Sequence, residues 1–420
     1  MAGPQTLVPE IRFRGFSDEW EERELGDTVS LRGRIGFRGY TQADLVEEGN
    51  GAITFSPADI DETGNVSQTD NKYISWMKYE ESPEIKVQPG DILFTKTASI
   101  GKVGFVRELK EKATINPQFA LLTPLKGTDG YFTFLAIRTD AFMKQVRDIT
   151  GGSSVPTMSQ EKLKELTFMS PSLEEQNELG AIFENLDNLI TFHRRKHERL
   201  KNIKKSMLEK MFPCDGSNVP EIRFAGFTNP WEQRKLKDVA SSFEYGLNAA
   251  AKEFDGTNKY LRITDIDDSS RAFKEDDLTS PDTNLSIAGN YQLNEGDVLF
   301  ARTGASVGKS FIYRGTDGLV YFAGFLIRAR IKPEYCAEFI FQNTLTSQYE
   351  KYIQITSQRS GQPGVNAQEY GEYSFLMPEY SEQKKIGDFL RQIDDLITLH
   401  QRKYEMLQKL KNSLLQKMLV

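Results

Sequence analysis

Two stretches of this chain carry their apolar residues at alternating spacings of three and four. The first runs Leu179, Ile182, Leu186, Leu189, His193, Lys196, Leu200, Ile203, Met207 and Lys210. The second runs Ile386, Phe389, Ile393, Leu396, His400, Lys403, Leu407, Leu410, Leu414 and Lys417. Kept up for about four heptads, that spacing predicts two long helices with a coiled-coil seam. From Glu174 to Met211 there is no proline and one glycine, Gly180. Each helix follows a proline and an acidic stretch, as a helix N-terminus prefers.

Both seams turn polar at the same place. In an antiparallel pair, one register sets His193 near Lys403 and Lys196 near His400. It also sets Leu186 by Leu410, Leu189 by Leu407, Leu200 by Leu396 and Ile203 by Ile393. A central polar layer between apolar layers fixes register at some cost in stability. The plainer alternative is two separate amphipathic helices, each packed on its own domain.

The segments around the helices read as strand-rich. Gly90-Asp91-Ile92-Leu93-Phe94 and Gly296-Asp297-Val298-Leu299-Phe300 are turns followed by short buried strands. Gly101-Lys102 and Gly308-Lys309 follow at equivalent places, and 132–146 and 335–352 read as helices. These correspondences belong to a larger one. PEIRFRGFSDEWEEREL, from Pro9, is answered by PEIRFAGFTNPWEQRKL, from Pro220, and the long helices repeat as well. The period is roughly 210 residues, far beyond a solenoid repeat of ~20–50, so the unit is a whole domain plus a helix. The frames agree and the inserts differ, which suggests two different readers on one scaffold.

Composition narrows the field. At 420 residues, 38% hydrophobic and 11% aromatic, the chain has the makings of two or three globular domains. It has no run of ~18 apolar residues and no export signal at its start, so a cytoplasmic protein is expected. The only cysteines, Cys214 and Cys336, make neither a disulfide framework nor a zinc cluster. The net charge of −7 argues mildly against nucleic acid, although it can hide a local basic patch.

No motif makes a convincing catalyst. Thr303 to Ser310 suggests a phosphate-binding P-loop, but three residues stand where four are needed, and the first copy lacks the leading glycine. Asn116-Pro117-Gln118-Phe119 approaches an adenine-methyltransferase loop without its second proline or a partner in the other half. All three histidines fall on the long helices, so they build no triad or metal set with the rest of the chain. Asp59, Asp61 and Glu62, and Asp265, Asp267 and Asp268, lack calcium-loop spacing and read as solvated loop acids.

Basic and small polar residues do recur. Arg32, Arg34 and Arg38 sit in a glycine-interrupted stretch that could follow a phosphate backbone or enter a groove. Lys96, Thr97, Ser99 and Lys102 match Arg302, Thr303, Ser306 and Lys309 as a Gly/Ser/Thr/Lys loop after a strand, fit for DNA contact or a tight turn. Ser153 and Ser154 precede the first long helix as Arg359 and Gln362 precede the second, and Lys252 is a further basic candidate.

The duplicated PEIRFxGF…W frame, the GDILF and GDVLF strands with their Gly-Lys loops, and the Pro…EEQ and SEQ-led helices resemble the DNA-specificity subunit of type I restriction–modification enzymes. The resemblance covers nearly the whole chain. It implies an α+β architecture of two α/β target-recognition domains with pseudo-twofold symmetry, separated by a long antiparallel two-helix coiled coil. The boundaries expected are 1–170 and 214–377 for the domains, with 171–213 and 378–420 as spacer helices. It further implies a non-catalytic subunit that binds double-stranded DNA. Such a subunit docks two modification (methyltransferase) subunits and, through them, ATP-dependent restriction subunits. S-adenosylmethionine, magnesium and ATP would serve the complex and not be bound by this chain. Helices of ~38 residues extend ~57 Å. That is enough to seat two readers ~34 Å, or one DNA turn, apart, so a bipartite asymmetric site is expected. The rival from another class is an assembly adaptor, which predicts no salt-dependent DNA affinity. A nuclease would want a duplicated metal-carboxylate set, and none is present in the sequence.

Overall fold

The Ile92-Leu93-Phe94 and Val298-Leu299-Phe300 runs are apolar at consecutive strand positions because both of their faces are covered. The computed structural model describes residues 8–33, 40–150, 157–214, 216–358 and 363–419. Packing groups the chain into two units, Met1–Thr191 with Glu405–Val420, and Phe192–Tyr404.

In the first unit a four-stranded antiparallel sheet has the order Val29–Arg32, Phe119–Pro124, Ile92–Thr95, Val103–Phe105. Side chains alternate between its faces. Ile92, Phe94, Ala120 and Leu122 join one core with Trp20, Phe132 and Phe183. Leu93, Phe119 and Leu121 join a second core with Ile53, Phe55 and Ile115. A second four-stranded sheet, Leu45–Val46, Tyr73–Ser75, Gly51–Phe55 and Ala113–Ile115, covers that second face. The Asp91 carboxylate, buried, accepts from the Gln88 backbone N–H at 2.7 Å and so closes the turn that launches its strand.

The second unit repeats the frame. Ala240–Tyr245, Leu326–Ile331, Asp297–Ala301 and Ser310–Ile312 form the same antiparallel sheet, with Val298 and Phe300 on one core and Leu299 and Phe311 on the other. Asp297 closes its turn on the Asn294 N–H at 2.9 Å. The insert differs: two separate ladders, Ala250–Glu253 with Thr279–Asp282 and Lys259–Leu261 with Val320–Phe322, replace the second four-stranded sheet.

Each expected helix before a long helix is broken in two. The pairs are Gly130–Ala136 with Asp140–Thr150, and Ala337–Asn343 with Ser347–Ser357. Thr139 and Thr346 stand at the breaks. Their hydroxyls accept from the Phe142 and Tyr349 N–H groups, so each starts a new helix by capping it.

The PEIRF segments are held alike in both units. Arg12 forks onto Glu175 at 2.7 and 2.7 Å, and Arg223 onto Glu382 at 2.6 and 2.7 Å. Trp20 lies edge-on to Phe132 and Trp231 edge-on to Phe339.

The long helices are Leu173–Met211 and Tyr380–Met418. Their glycines have a packing reason. A Cβ on Gly387 would meet the Phe339 amide nitrogen at 3.0 Å and Cys336 Sγ at 3.2 Å. Gly387→Ala must push the Ala337–Asn343 helix away, and should cost about 1–3 kcal/mol in denaturant unfolding. A neutral result would mean that this approach is looser than it looks.

The buried stripe corrects the expected seam. Both helices bury positions spaced four then three, starting from Leu179 and Ile386, and not three then four. Leu186, His193, Leu200, Ile393, His400 and Leu407 face inward or lie half-buried. Leu189, Lys196, Ile203, Leu396, Lys403 and Leu410 are exposed. Their places are taken by Ile190, His197, Lys204, Ile397, Tyr404 and Lys411, all buried or half-buried. At Ile182–Phe183, Leu189–Ile190, Phe389–Leu390 and Leu396–Ile397 both neighbours are apolar, so spacing alone could not choose between them there.

The register shifts with the phase. In the first unit Leu186 shares a core with Leu407, Leu414 and Leu415, while Leu410 stays outside. In the second, the two histidines meet each other and not a lysine, Nδ1 to Nδ1 at 2.8 Å. One ring must donate and the other accept, so at least one imidazole is neutral and the two cannot both be charged while the contact holds. Burial lowers both pKa values, and Lys403 adds to the effect on each, after the His193 charge in the case of His400. A folded-state pKa below the unfolded ~6.5 means that the unfolded chain takes up protons first. Stability should therefore fall as pH drops through that range. Denaturant midpoints at pH 7.5 and 5.5 should differ, and His193→Leu with His400→Leu should shrink the difference. If the double variant keeps the full pH effect, the pair is not its source.

Candidate nucleic-acid interface

The sheet's central hairpin carries the recurring Gly-Lys loop. In the first unit the Thr95 N–H donates to the Lys102 carbonyl at 2.9 Å and the Gly101 N–H to the Thr95 carbonyl at 3.0 Å. In the second, Ala301 N–H donates to the Lys309 carbonyl at 2.8 Å and Gly308 N–H to the Ala301 carbonyl at 3.0 Å. Gly101 and Gly308 sit at φ 85° and 83°, where a side chain is strained. The loop is thus a tight turn in both copies.

Its lysines are pins. Lys102 Nζ donates to the Pro57 carbonyl at 2.6 Å. Lys309, buried, donates to the Ile266 carbonyl at 3.1 Å and pairs with Asp268 at 2.5 Å. Both ammonium groups, expected from the sequence as DNA contacts, thus tie their turns to neighbouring loops. Thr97 bridges to Thr157 and Thr303 to Gly364 through the backbone. Ser99 is exposed and Ser306 half-buried.

Arg32 is likewise tied into the fold. It ends a strand, where it is half-buried and donates to Thr123 Oγ1. The Thr123 hydroxyl in turn donates to Asp91 at 2.5 Å. Lys252 is exposed on a strand whose residues are all exposed. Arg34, Arg38, Ser153, Ser154, Arg359 and Gln362 lie outside the described residues.

What remains is one cation at the same place in each hairpin. Lys96 and Arg302 directly follow the central strand. The Lys96 carbonyl accepts from the Met158 N–H, and the Arg302 carbonyl from the Val365 N–H, each at 2.9 Å. Burial pulls the Lys96 ammonium below the ordinary lysine range, with Glu161 opposing. Arg302 lies over the Tyr245 ring, 5.1 Å from its centroid, and its N–H donates to the Phe325 carbonyl at 3.0 Å. Tyr245 is 44% exposed and Phe325 62%. An arginine stacked on a ring still offers its N–H fork to guanine or to phosphate. The two aromatics were not singled out from the sequence. Their signal was Tyr245-Gly246 and Gly324-Phe325, ring-glycine pairs in which the glycine permits close approach. A Cβ on Gly246 would stand 2.1 Å from the Ala323 carbonyl oxygen.

Among the described residues no group of three or more His, Cys, Asp or Glu could hold a metal. The acids considered from sequence serve turns: Asp59 caps Ser56, Asp265 forks with Arg262, and Asp267 accepts from Ser269 and Ser270.

The family model for the type I restriction modification DNA specificity domain matches this chain twice, at residues 17–202 and 228–409. The chain belongs to that family. It is a type I specificity subunit with two target-recognition domains. It is 23% identical over 296 residues to the type I restriction enzyme MjaVIII specificity subunit of Methanocaldococcus jannaschii, spanning 68% of each chain. Its fold is shared with the type I restriction-modification system S subunit from M. genitalium. The TM-score is 0.64 at 15% identity, over 98% of this chain and 99% of that one. The equivalence of Lys96 and Arg302 rests on their shared place after the strand and on the matching backbone bonds from Met158 and Val365. No described helix of this specificity subunit is long and apolar enough to cross a membrane.

Proposed function

We propose that this specificity subunit reads a split, asymmetric site in duplex DNA, one block per unit, and performs no chemistry itself. The observation that carries this is the pairing of a constant frame with unlike inserts. The same hairpin presents Lys96 beside one insert and Arg302 with Tyr245 beside the other. A lysine acts as a point charge, whereas an arginine reads a planar edge bidentately, so the two blocks should differ.

Methyl transfer and cleavage fall to partner chains, which would hold S-adenosylmethionine, magnesium and ATP. Two modification subunits would dock on the long helices, restriction subunits would join through them, and the assembly would work in the cytoplasm. Exposed apolar residues on those helices support docking: Leu189, Met406 and Leu410 in the first unit, and Phe192, Leu396 and Leu399 in the second.

The test is selection of random duplexes by the full chain with its modification subunit. Two short conserved blocks flanking unread base pairs are expected, with affinity falling as salt rises. A single continuous block, or no consensus at all, would refute the reading and favour an adaptor.

A further inference from the structure

The second unit contains a cleft of about 590 Å³, lined by the 268–271 loop, the 305–309 turn, the Ser347–Ser357 helix and both long helices. That is a ligand-sized volume. The corresponding place in the first unit is filled. There Arg138, from the end of the Gly130–Ala136 helix, donates to the Thr63 and Glu62 carbonyls at 2.7 and 2.9 Å. Met143 packs so closely that a Cβ on Gly101 would stand 2.1 Å from its Cε. In the second unit Leu345 and Glu350 stand at those two positions, and the lining has an arginine of its own, Arg271, from the 268–271 loop.

The charges in the cleft do not cancel. Lys309 is paired with Asp268, and Lys204 with Asp394 at 2.5 Å. Among the described residues no hydrogen bond or ion pair ties down the Arg271 guanidinium or the ammonium groups of Lys201 and Lys205; Arg271 is influenced by Asp268, Tyr349, Asp267 and Glu350 only through the field. Glu350 is the remaining acid of the lining. Three free cations against one free carboxylate leave an excess of two positive charges. Arg271 is also held at φ 58°, a left-handed conformation that a side chain adopts at some cost. Ile353, Val307 and Leu208 supply an apolar wall.

We propose that this cleft binds a phosphorylated ligand carrying two or more negative charges, gripped by Arg271, Lys201 and Lys205. The guanidinium fork suits phosphate oxygens, and the lysines add point charge. The site is separate from the Lys96 and Arg302 positions, and the inference does not depend on how those read DNA. The phosphate could belong to a free small molecule or to a nucleic-acid backbone.

Titration calorimetry of the full chain with pyrophosphate, at ionic strength held constant with chloride, tests this. Saturable binding is expected. Arg271→Gln should weaken it at least tenfold, whereas Glu350→Gln should tighten it several-fold, a gain that misfolding cannot imitate. Lys126→Gln, exposed in the first unit, should leave it unchanged. A short duplex that displaces pyrophosphate would identify the phosphate as that of a nucleic acid; undisturbed pyrophosphate binding would identify it as that of a free ligand. No saturable binding, or unchanged affinity in both the Arg271 and Glu350 variants, overturns the proposal.

Discussion

Replacing residues 21–170 with the matching segment of a specificity subunit that reads another sequence should rewrite one block of the DNA site and leave the other intact. The cut points have a physical basis. Glu21 pairs with Ser170 at the end of an antiparallel ladder that runs to Glu24 and Thr167. The insert therefore enters and leaves through neighbouring strands, and the exchange carries both. The second unit repeats this closure with Glu232 opposite Met377. The graft also keeps the core's outer contributions, since Trp20, Leu179 and Phe183 lie outside it and pack on residues within it, such as Phe132. Each lost base-pair match costs ~1–3 kcal/mol, so losing three specific pairs weakens binding to the original site on the order of 10²- to 10⁶-fold. The readout is the methylated sequence made with the modification subunit. Change in both blocks would show that the units do not read independently.

The largest single-residue effect is expected at Asp187. This carboxylate is 2% exposed and accepts from Lys411 Nζ at 2.6 Å, with the Tyr131 hydroxyl also donating to it and Arg107 at 3.4 Å. Lys411 is itself buried, and burial lowers its pKa before Asp187 partly restores it. Asp187→Ala leaves that buried ammonium without its counter-charge and within the field of Arg107 and Arg138. Breaking one partner of a buried pair costs about 3–5 kcal/mol. In a unit of this size that corresponds to a drop in Tm on the order of 10 °C. The double change Asp187→Leu with Lys411→Met should recover much of the loss, because a packed apolar pair replaces a paired charge at little cost. An Asp187→Ala variant within 1 kcal/mol of wild type in denaturant unfolding would mean that water reaches the site. The second unit repeats the arrangement with different chemistry: Asp394 accepts from Lys204, and from Gln342 at 2.8 Å.

Much of this was legible in the sequence because it depends on local pattern. Apolar strands entered through Gly-Asp turns became the sheet's buried hairpin, since only strands covered on both faces can be apolar throughout. Uninterrupted heptads became the long helices. The duplicated tryptophans, arginines and glutamates became the same anchors twice. The site was less legible. Lys102 and Lys309 look like Lys96 and Arg302 along the chain, and differ only in whether a carbonyl from a distant loop lies within reach of the side chain. Tyr245 and Phe325 were passed over because an aromatic residue is usually core, and exposure is not a local property.

Local pattern in the chain was enough for the duplication, the type and order of the elements, the family, and the presence of a polar layer midway along the helices. Each of these depends on residues close together or on a pattern repeated whole. The tertiary structure alone decided which of two adjacent heptad phases is buried. Ile182 and Phe183, or Leu189 and Ile190, serve a heptad equally until other elements cover one of them. It also decided that His193 meets His400, that the repeated Lys102 and Lys309 tie their turns to neighbouring loops, and that a space closed by Arg138 and Met143 in one unit stands open beside Arg271 in the other. Those outcomes turn on which distant groups come within a few ångströms, where burial and pairing energies are set.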